Sequence, residues 1–364
     1  MIEKGAIGFF NSVMSWGGGE KWHYEAADYF AQKGYRVYFF ASENSVLHSK
    51  LKGHHLIQLE LVRVTGTSFL NPIKVQRLKR IFKQANLDTL IINLPNDLKI
   101  AAFAGKLAGV KKIIYRRGSA IPIRNSLMNR FTFKNWVTDV LANSQATKRT
   151  ILQYNSKLFP EEKIKVIYNP INTKEFMERD YNLINQAEEH ELIIGNLGRL
   201  EHEKNQQFLI LLSEKLKQQG VKHKVIIGGS GRLEKDLKEE ARRRKVQDHV
   251  HFLGFVTNVK DVLMSCDVFV LPSLWEGFGY VLAEAALCRK PIIAFNLSSI
   301  PEIVIDGKSG FLIDNNVDAC VNKIETLLEH RQLMKEMGEC GYRYVSQKFD
   351  SEKIMADVEE YVLA

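Results

Sequence analysis

Long apolar runs are the first thing missing from this 364-residue chain. No stretch of about 18 uncharged apolar residues occurs, so no segment reads as a membrane-spanning helix. The nearest approach to a leader, residues 5–16, has Glu3 before it and Gly17-Gly18-Gly19-Glu20 after it, not a small-x-small cleavage site, and reads as a first strand and its loop. Cysteine is scarce as well. Cys266, Cys288, Cys320 and Cys340 form no CxxC pair and stand in apolar or helical surroundings, which predicts buried, reduced thiols in a cytoplasmic protein. What is present is ordinary globular composition: 45% hydrophobic and 26% charged residues exclude a disordered or fibrous chain. The length predicts about two domains.

The formal net charge of +9 is unevenly spread. Residues 1–172 carry 26 Lys and Arg against 11 Asp and Glu; the remainder carries 25 against 31. The two halves therefore meet different partners, and the first attracts something anionic: a membrane surface, an acidic or phosphorylated substrate, or a nucleic acid. No recognised nucleic-acid module accompanies the charge, so nucleic acid is not the expected partner.

Strand-like and helix-like runs alternate along the chain. Apolar strands are expected at 6–10, 36–41, 89–94, 112–115, 140–142 and 164–167, and again at 192–196, 224–227, 250–253, 268–271 and 291–294. This β/α alternation predicts two parallel, Rossmann-like sheets with helices on both faces. Asn169-Pro170-Ile171-Asn172, followed by a polar, acidic stretch at 178–191, marks the linker. The expected organisation is a first domain over 1–172, a second over 173–342, and a final helix over 343–364 crossing back to the first. After Leu312 the chain reads as helical to its end. Ligands of open α/β sheets sit beyond the carboxyl ends of the strands, so the loops there are the place to look for chemistry.

Three such loops are glycine-rich. Gly17-Gly18-Gly19 lies between the first strand and the first helix, where backbone N–H groups can approach an anion. It is neither a P-loop nor GxGxxG. Gly195-Asn196-Leu197-Gly198 and Gly228-Gly229-Ser230-Gly231 are the others. Together they point to a nucleotide or sugar-phosphate cleft without naming it.

The most informative stretch is Pro272-Ser273-Leu274-Trp275-Glu276-Gly277-Phe278-Gly279-Tyr280-Val281-Leu282-Ala283-Glu284. A helix should begin near Gly279, with Gly277 and Gly279 leaving backbone N–H groups bare at its positive end. Glu276 then lies in the loop and Glu284 on the second helical turn. Two carboxylates beside an anion-binding helix start suit a ligand that carries hydroxyls as well as phosphate, because carboxylates accept hydrogen bonds from sugar hydroxyls. A nucleotide-sugar meets both demands. Gly198-Arg199-Leu200-Glu201-His202-Glu203-Lys204-Asn205 follows the strand at 192–196. Arg199 offers a fixed fork of donors and Lys204 a point charge, and both suit a diphosphate leaving group.

These segments, with Asn169-Pro170-Ile171-Asn172 and Ile300-Pro301-Glu302-Ile303-Val304 through Gly307 and Gly310-Phe311, resemble the retaining glycosyltransferases of family 4 (glycosyl transferases group 1), which have the GT-B fold of two Rossmann-like domains facing a cleft. The resemblance covers the second half at motif level and the first by architecture and the glycine loop. It implies that Arg199 and Lys204 hold the donor diphosphate. Glu276 would contact the donor sugar, with backbone N–H groups of Gly277, Phe278 and Gly279 close by. Glu284 would take the ribose hydroxyls, and Gly18 and Gly19 the phosphate from the other domain. No cofactor or metal is implied, and no DxD-type acidic cluster stands in the loops. The chain departs from the family in two places. A histidine is common after a first-domain strand; here Ile114-Tyr115-Arg116-Arg117-Gly118-Ser119 stands, and Arg117 is the candidate contact to acceptor or phosphate. Glycines often precede the Ile-Pro-Glu segment; here Leu297-Ser298-Ser299 does.

The activity this implies is hexosyl transfer, with retention, from a UDP- or GDP-linked sugar to a saccharide or lipid-linked acceptor, serving polysaccharide or lipopolysaccharide synthesis. Attack on the front face within an ion pair is the expected route, as no nucleophile stands out. The basic first half would bind the acceptor. Residues 72–85 and 121–136 mix cations with apolar side chains, a pattern that suits an anionic lipid surface and, with it, peripheral contact on the inner face of the membrane. An ordinary helix packing on its sheet has the same pattern. Two other enzymes fit the same fold: a glycosidase using Glu276 and Glu284, which leaves Arg199 and Lys204 unexplained, and a sugar-nucleotide epimerase.

Overall fold

The computed structural model describes residues 5–184 and 191–364. Glu3, and residues 185–190 of the acidic stretch that follows the expected linker, lie outside the described residues. Thirteen strands follow one another among the described residues: β1 Ala6–Asn11, β2 Arg36–Ser42, β3 Ile57–Val62, β4 Leu87–Ile92, β5 Lys112–Arg117, β6 Asp139–Ala142, β7 Ile164–Val166, β8 Leu192–Leu197, β9 His223–Gly228, β10 Val250–Gly254, β11 Val268–Leu271, β12 Ile292–Phe295 and β13 Gly310–Ile313. They build two sheets, ordered β3-β2-β1-β4-β5-β6-β7 and β10-β9-β8-β11-β12-β13. Every neighbouring pair is parallel. In each sheet the order reverses beside the strand that comes first in the chain, β1 or β8, which is the doubly wound arrangement.

Helices cover both faces of such a sheet, so its central strands are apolar on both sides. Every residue of β1, β8, β11 and β12 is buried. That continuity is why these strands are plain in the sequence. Two edge strands are not expected from it. In β3, Ile57-Gln58-Leu59-Glu60-Leu61-Val62 alternates and is half-exposed. β13 is four residues long and opens on Gly310, where a Cβ would lie 2.2 Å from the Ile292 carbonyl oxygen.

The chain divides into two compact units, Met1–Pro170 with Glu352–Ala364, and Ile171–Ser351. The helix Arg331–Lys348 runs on past residue 343 and belongs to the second unit. The return to the first unit therefore comes after Phe349-Asp350, not at 343. Phe349 is fully buried and accepts a backbone hydrogen bond from Ile171 at 2.8 Å, so the outgoing and returning segments of chain are tied side by side. The last helix, Ser351–Leu363, buries Ile354, Met355, Val358 and Val362. Its Glu359 accepts from the Tyr29 and Tyr35 hydroxyls at 2.9 and 3.2 Å, and its Val362 carbonyl from Thr89 at 3.3 Å.

All four cysteines are free. Burial pushes the thiols of Cys266, Cys288 and Cys320 up to about 12, so they stay protonated and unreactive. Among the described residues no helix is long and apolar enough to cross a membrane.

One buried carboxylate anchors the turn after β1. Asp97, in the first turn of the helix Pro95–Ala108, accepts from the Ser12 backbone N–H at 2.8 Å and from the Ser12 hydroxyl at 2.5 Å. Burial nonetheless raises its titration from 3.8 to about 6, the two Ser12 bonds opposing the shift. Between these values the folded chain keeps a proton that the unfolded chain has lost. Stability from this group is therefore present at low pH and is lost as pH rises through that window, by roughly 3 kcal/mol.

Denaturant unfolding of wild type and Asp97→Asn across the acid range should show the variant gaining on wild type as pH rises from about 4 to about 6, then levelling; a constant difference would contradict the buried-charge account. Ile354→Ala should cost about 2–4 kcal/mol of first-unit stability, whereas the exposed Asp357→Ala should cost under about 0.5; equal effects would mean that the last helix does not pack as described.

Candidate active site

The second unit places its glycine loops at the carboxyl ends of β8, β9 and β11. The loop after β8 and the loop after β9 lie backbone against backbone. Gly198 N–H donates to Gly228 O, and Leu200 N–H to Ser230 O, both at 3.0 Å. A Cβ on Gly229 would sit 1.9 Å from the Gly198 oxygen, and one on Gly231 2.4 Å from the Leu200 oxygen. Close chain approach accounts for these glycines, where the sequence suggests a place for phosphate.

The loop after β8 ends in a short turn, His202–Lys204, closed by Asn205 with φ of 51°. That left-handed residue uses its side chain to donate to Pro272 O at 3.2 Å. Leu274 N–H donates to Glu203 O at 2.9 Å, and the His202 ring lies 6.2 Å from that of Trp275. The turn is thereby fastened to the loop after β11, and the fastening delivers Lys204 to Glu276: Nζ to Oε1 is 2.5 Å. The Lys204 side chain is 17% exposed and that of Glu276 9%. Two residues that lie 72 positions apart thus form a mostly buried ion pair. Such pairs hold position more than they add stability, because desolvation offsets most of the attraction.

Arg199 does not join them. Its guanidinium binds Glu203 at 2.7 Å and its side chain is 66% exposed. The sequence presents Arg199 and Lys204 as equivalent cations; the structure makes the lysine a fixed, shielded charge and the arginine a solvated one. Glu284 lies half-buried on the helix Tyr280–Leu287, as expected. Gly279 caps that helix with φ of 91°, a conformation that favours glycine. Phe278, expected to offer its backbone N–H to the donor, buries its ring 5.4 Å from that of Tyr280 and 5.1 Å from that of Phe349 in edge-to-face contacts. The serines that replace the family's glycines hold this loop. Ser298 Oγ donates to Glu276 O at 2.6 Å; Ser299 Oγ reaches Glu276 O at 3.0 Å and Phe278 O at 3.2 Å.

In the first unit Gly18 and Gly19 open the helix Gly18–Gln32, with Gly17 at its N-cap. A Cβ on Gly19 would lie 2.8 Å from Asn93 Nδ2, so a side chain there would have to displace the Asn93 amide. Behind the turn stands a buried polar network. Asn11 and Asn93 each donate to Glu20 Oε1 at 3.3 Å, while Arg116 donates to Asn93 at 3.3 Å and to Asn169 at 2.7 Å. The Arg116 guanidinium also lies 4.8 Å over the Trp22 ring. Next to Trp22, burial and the Arg116 charge push the His23 imidazole well below its usual range, so it stays neutral.

Arg117, the candidate contact from sequence, faces elsewhere. Its guanidinium donates to the Tyr115 hydroxyl at 3.2 Å and to Ile121 O at 2.7 Å, supporting the loop after its own strand, and it is buried, not part of a solvated turn. Side chains alternate across a strand, and Arg116 takes the face expected of Arg117. No sequence signal separates two adjacent arginines at a strand end; only the facing of β5 does.

Comparison with known proteins agrees with this architecture. Residues 16–175 match the model of Glycosyltransferase Family 4, and residues 179–344 that of Glycosyl transferases group 1. N-acetyl-alpha-D-glucosaminyl L-malate synthase of Bacillus anthracis is 24% identical over 92% of this chain and 91% of its own length. An N-acetylgalactosaminyltransferase of Campylobacter jejuni, named for a diphospho-undecaprenol-linked acceptor, is 25% identical over 80% of each chain. The solved structure of Anabaena Alr3699/HepE with UDP and glucose superposes with a TM-score of 0.82 at 22% identity, covering 98% of this chain and 99% of that one. The two family models between them span most of the chain and change over at 175–179, a few residues past the division between the two units at 170/171. The chain belongs to the group 1 glycosyltransferases and has their GT-B fold.

Proposed function

We propose that this enzyme transfers a hexose from a nucleoside diphosphate sugar to a saccharide or lipid-linked acceptor, with retention at the anomeric carbon, in the synthesis of a cell-surface glycan. The observation that carries the reading is the Lys204–Glu276 pair, a cation and a carboxylate held 2.5 Å apart on loops pinned at the start of a helix. The complex of HepE with UDP and glucose, and the lipid-linked acceptor for which the Campylobacter relative is named, support the two substrate classes.

In this reading Lys204 faces the donor diphosphate and Glu276 accepts hydrogen bonds from the sugar hydroxyls. The N–H groups of Gly277, Phe278 and Gly279 lie at the positive end of the helix Tyr280–Leu287. Glu284 takes the ribose hydroxyls. Arg199, itself exposed, exchanges the shielded Glu203 for phosphate, and the diphosphate charge offsets the loss of that pair. In the first unit, the Gly18-Gly19 turn offers N–H groups to an anion.

Cleavage of the anomeric C–O bond leaves positive charge on the sugar and negative charge on the departing diphosphate. Donors already aimed at that charge lower the barrier without reorganising during the reaction. Before the donor binds, Glu276 neutralises much of the Lys204 charge. Once Glu276 turns to sugar hydroxyls, that charge is released toward the phosphate, so sugar recognition and leaving-group stabilisation are coupled. No metal is required in this scheme, because the two cations carry the diphosphate. Retention follows from front-face attack by the acceptor within the resulting ion pair.

The first unit carries exposed apolar side chains beside cations: Leu127 is 82% exposed and Phe131 51%, with Arg124, Arg130 and Lys134 in the same segment. We read this surface as the peripheral contact with anionic lipid that a membrane-borne acceptor calls for. By contrast, the helix Pro72–Gln84 buries Val75, Leu78 and Phe82 in its own unit and is an ordinary packing helix.

Assayed as folded protein, Lys204→Ala and Glu276→Gln should each lower kcat by about 10²–10³ and lower the unfolding midpoint, because each leaves a shielded charge unpaired, while Lys215→Ala, at an exposed ion pair remote from the site, should do neither. Wild-type turnover in both site variants would remove the assignment. Flotation with vesicles should depend on anionic lipid and weaken on Leu127→Ser with Phe131→Ser; binding indifferent to lipid charge would contradict the membrane contact.

A further inference from the structure

The turn Asn296–Ser299 after β12 contains an oddity that the family reading does not absorb. Ser298 has φ of 56°, in the left-handed region that side-chain-bearing residues avoid. Glycine would occupy that conformation without strain, and serine does so only where the surroundings hold it. A hydrogen bond holds it here: the Ser298 hydroxyl donates to the Glu276 carbonyl at 2.6 Å. The fully buried Ser299 adds two further contacts, to Glu276 O at 3.0 Å and Phe278 O at 3.2 Å. The carbonyl of one residue, Glu276, thus receives two side-chain donors from a different loop, while its carboxylate receives Lys204. A loop with two glycines, Gly277 and Gly279, has little stiffness of its own, and these bonds supply it.

We propose that Ser298 and Ser299 are positioning residues that lock the Glu276 loop in the register needed to read the donor sugar, Ser298 at the cost of a strained backbone. The proposal deepens the reading of Glu276 as the sugar contact and rests on it. Its mark is that stability and activity part company. At Ser298, glycine relieves the strained φ and loses the hydroxyl, so folding is spared while the loop is loosened. A residue that served folding alone would lose both or neither.

Amide hydrogen exchange of the full chain, followed at 276–280, tests the clamp without any donor. Ser298→Gly and Ser299→Ala should each speed exchange there at least tenfold and leave β8 and the 202–204 turn unchanged. The unfolding midpoint of Ser298→Gly should stay at or above that of wild type. Unchanged exchange at 276–280 in both variants overturns the proposal. Turnover measured on a panel of UDP-glucose, UDP-N-acetylglucosamine and GDP-mannose then reads the consequence: both variants should raise the donor KM and lower kcat/KM at least tenfold, while affinity for the free nucleoside diphosphate stays within twofold. A Glu276→Gln enzyme that is inactive beside Ser298→Gly and Ser299→Ala enzymes of wild-type kcat/KM also overturns it. If Glu276→Gln itself turns over normally, the sugar-reading role of Glu276 has failed, and the exchange result alone decides whether the clamp exists.

Discussion

A lysine and a glutamate that meet at 2.5 Å govern the second unit's site, because neither reaches the other without a chain of local constraints. Lys204 is aimed by a turn closed at a left-handed asparagine, and that turn is sewn to the β11 loop through Pro272 and Leu274. Glu276 is held from the opposite side by two serines after β12. Three strand ends, β8, β11 and β12, therefore converge on one ion pair. Parallel sheets bring consecutive carboxyl ends together by construction, and the reversal of strand order between β8 and β11 leaves room there for a ligand.

A pair buried to this degree contributes little net stability, since each charge gives up water to make it. Its value lies in preorganisation. The lysine charge is fixed in place and masked until a hydroxyl-bearing ligand competes for the carboxylate. Arg199 works in a different regime: its guanidinium is exposed and paired with the shielded Glu203, so it can swing to a phosphate whose charge replaces that pair. One rigid cation and one mobile cation suit a leaving group that must be gripped during cleavage and released afterwards.

Much of this is legible in the chain itself. Continuous apolar runs give away the central strands, because both faces of a parallel sheet are covered. Two of the four edge strands escape: β3 is half-exposed and β13 is four residues long with glycine at its start. The ion pair of Glu276 with Lys204 is not foreseen, because the sequence assigns both cations to the diphosphate and the carboxylate to the sugar. That Lys204 and not Arg199 meets it depends on how the intervening turn is closed. Arg116 and Arg117 pose the same difficulty in the first unit, where the facing of one strand decides which of two neighbours joins Asn93 and Asn169. The glycines at 229 and 231 look like a phosphate loop and are instead demanded by carbonyl oxygens of the adjacent loop. Composition cannot tell close approach of a ligand from close approach of the chain.

The most direct test of the central claim is a crystal structure of the enzyme soaked with its nucleotide-sugar donor. The account predicts the Lys204 ammonium within hydrogen-bond distance of a diphosphate oxygen and the Glu276 carboxylate on sugar hydroxyls. A donor bound with Lys204 and Glu276 still paired to each other, and its diphosphate out of their reach, would contradict it.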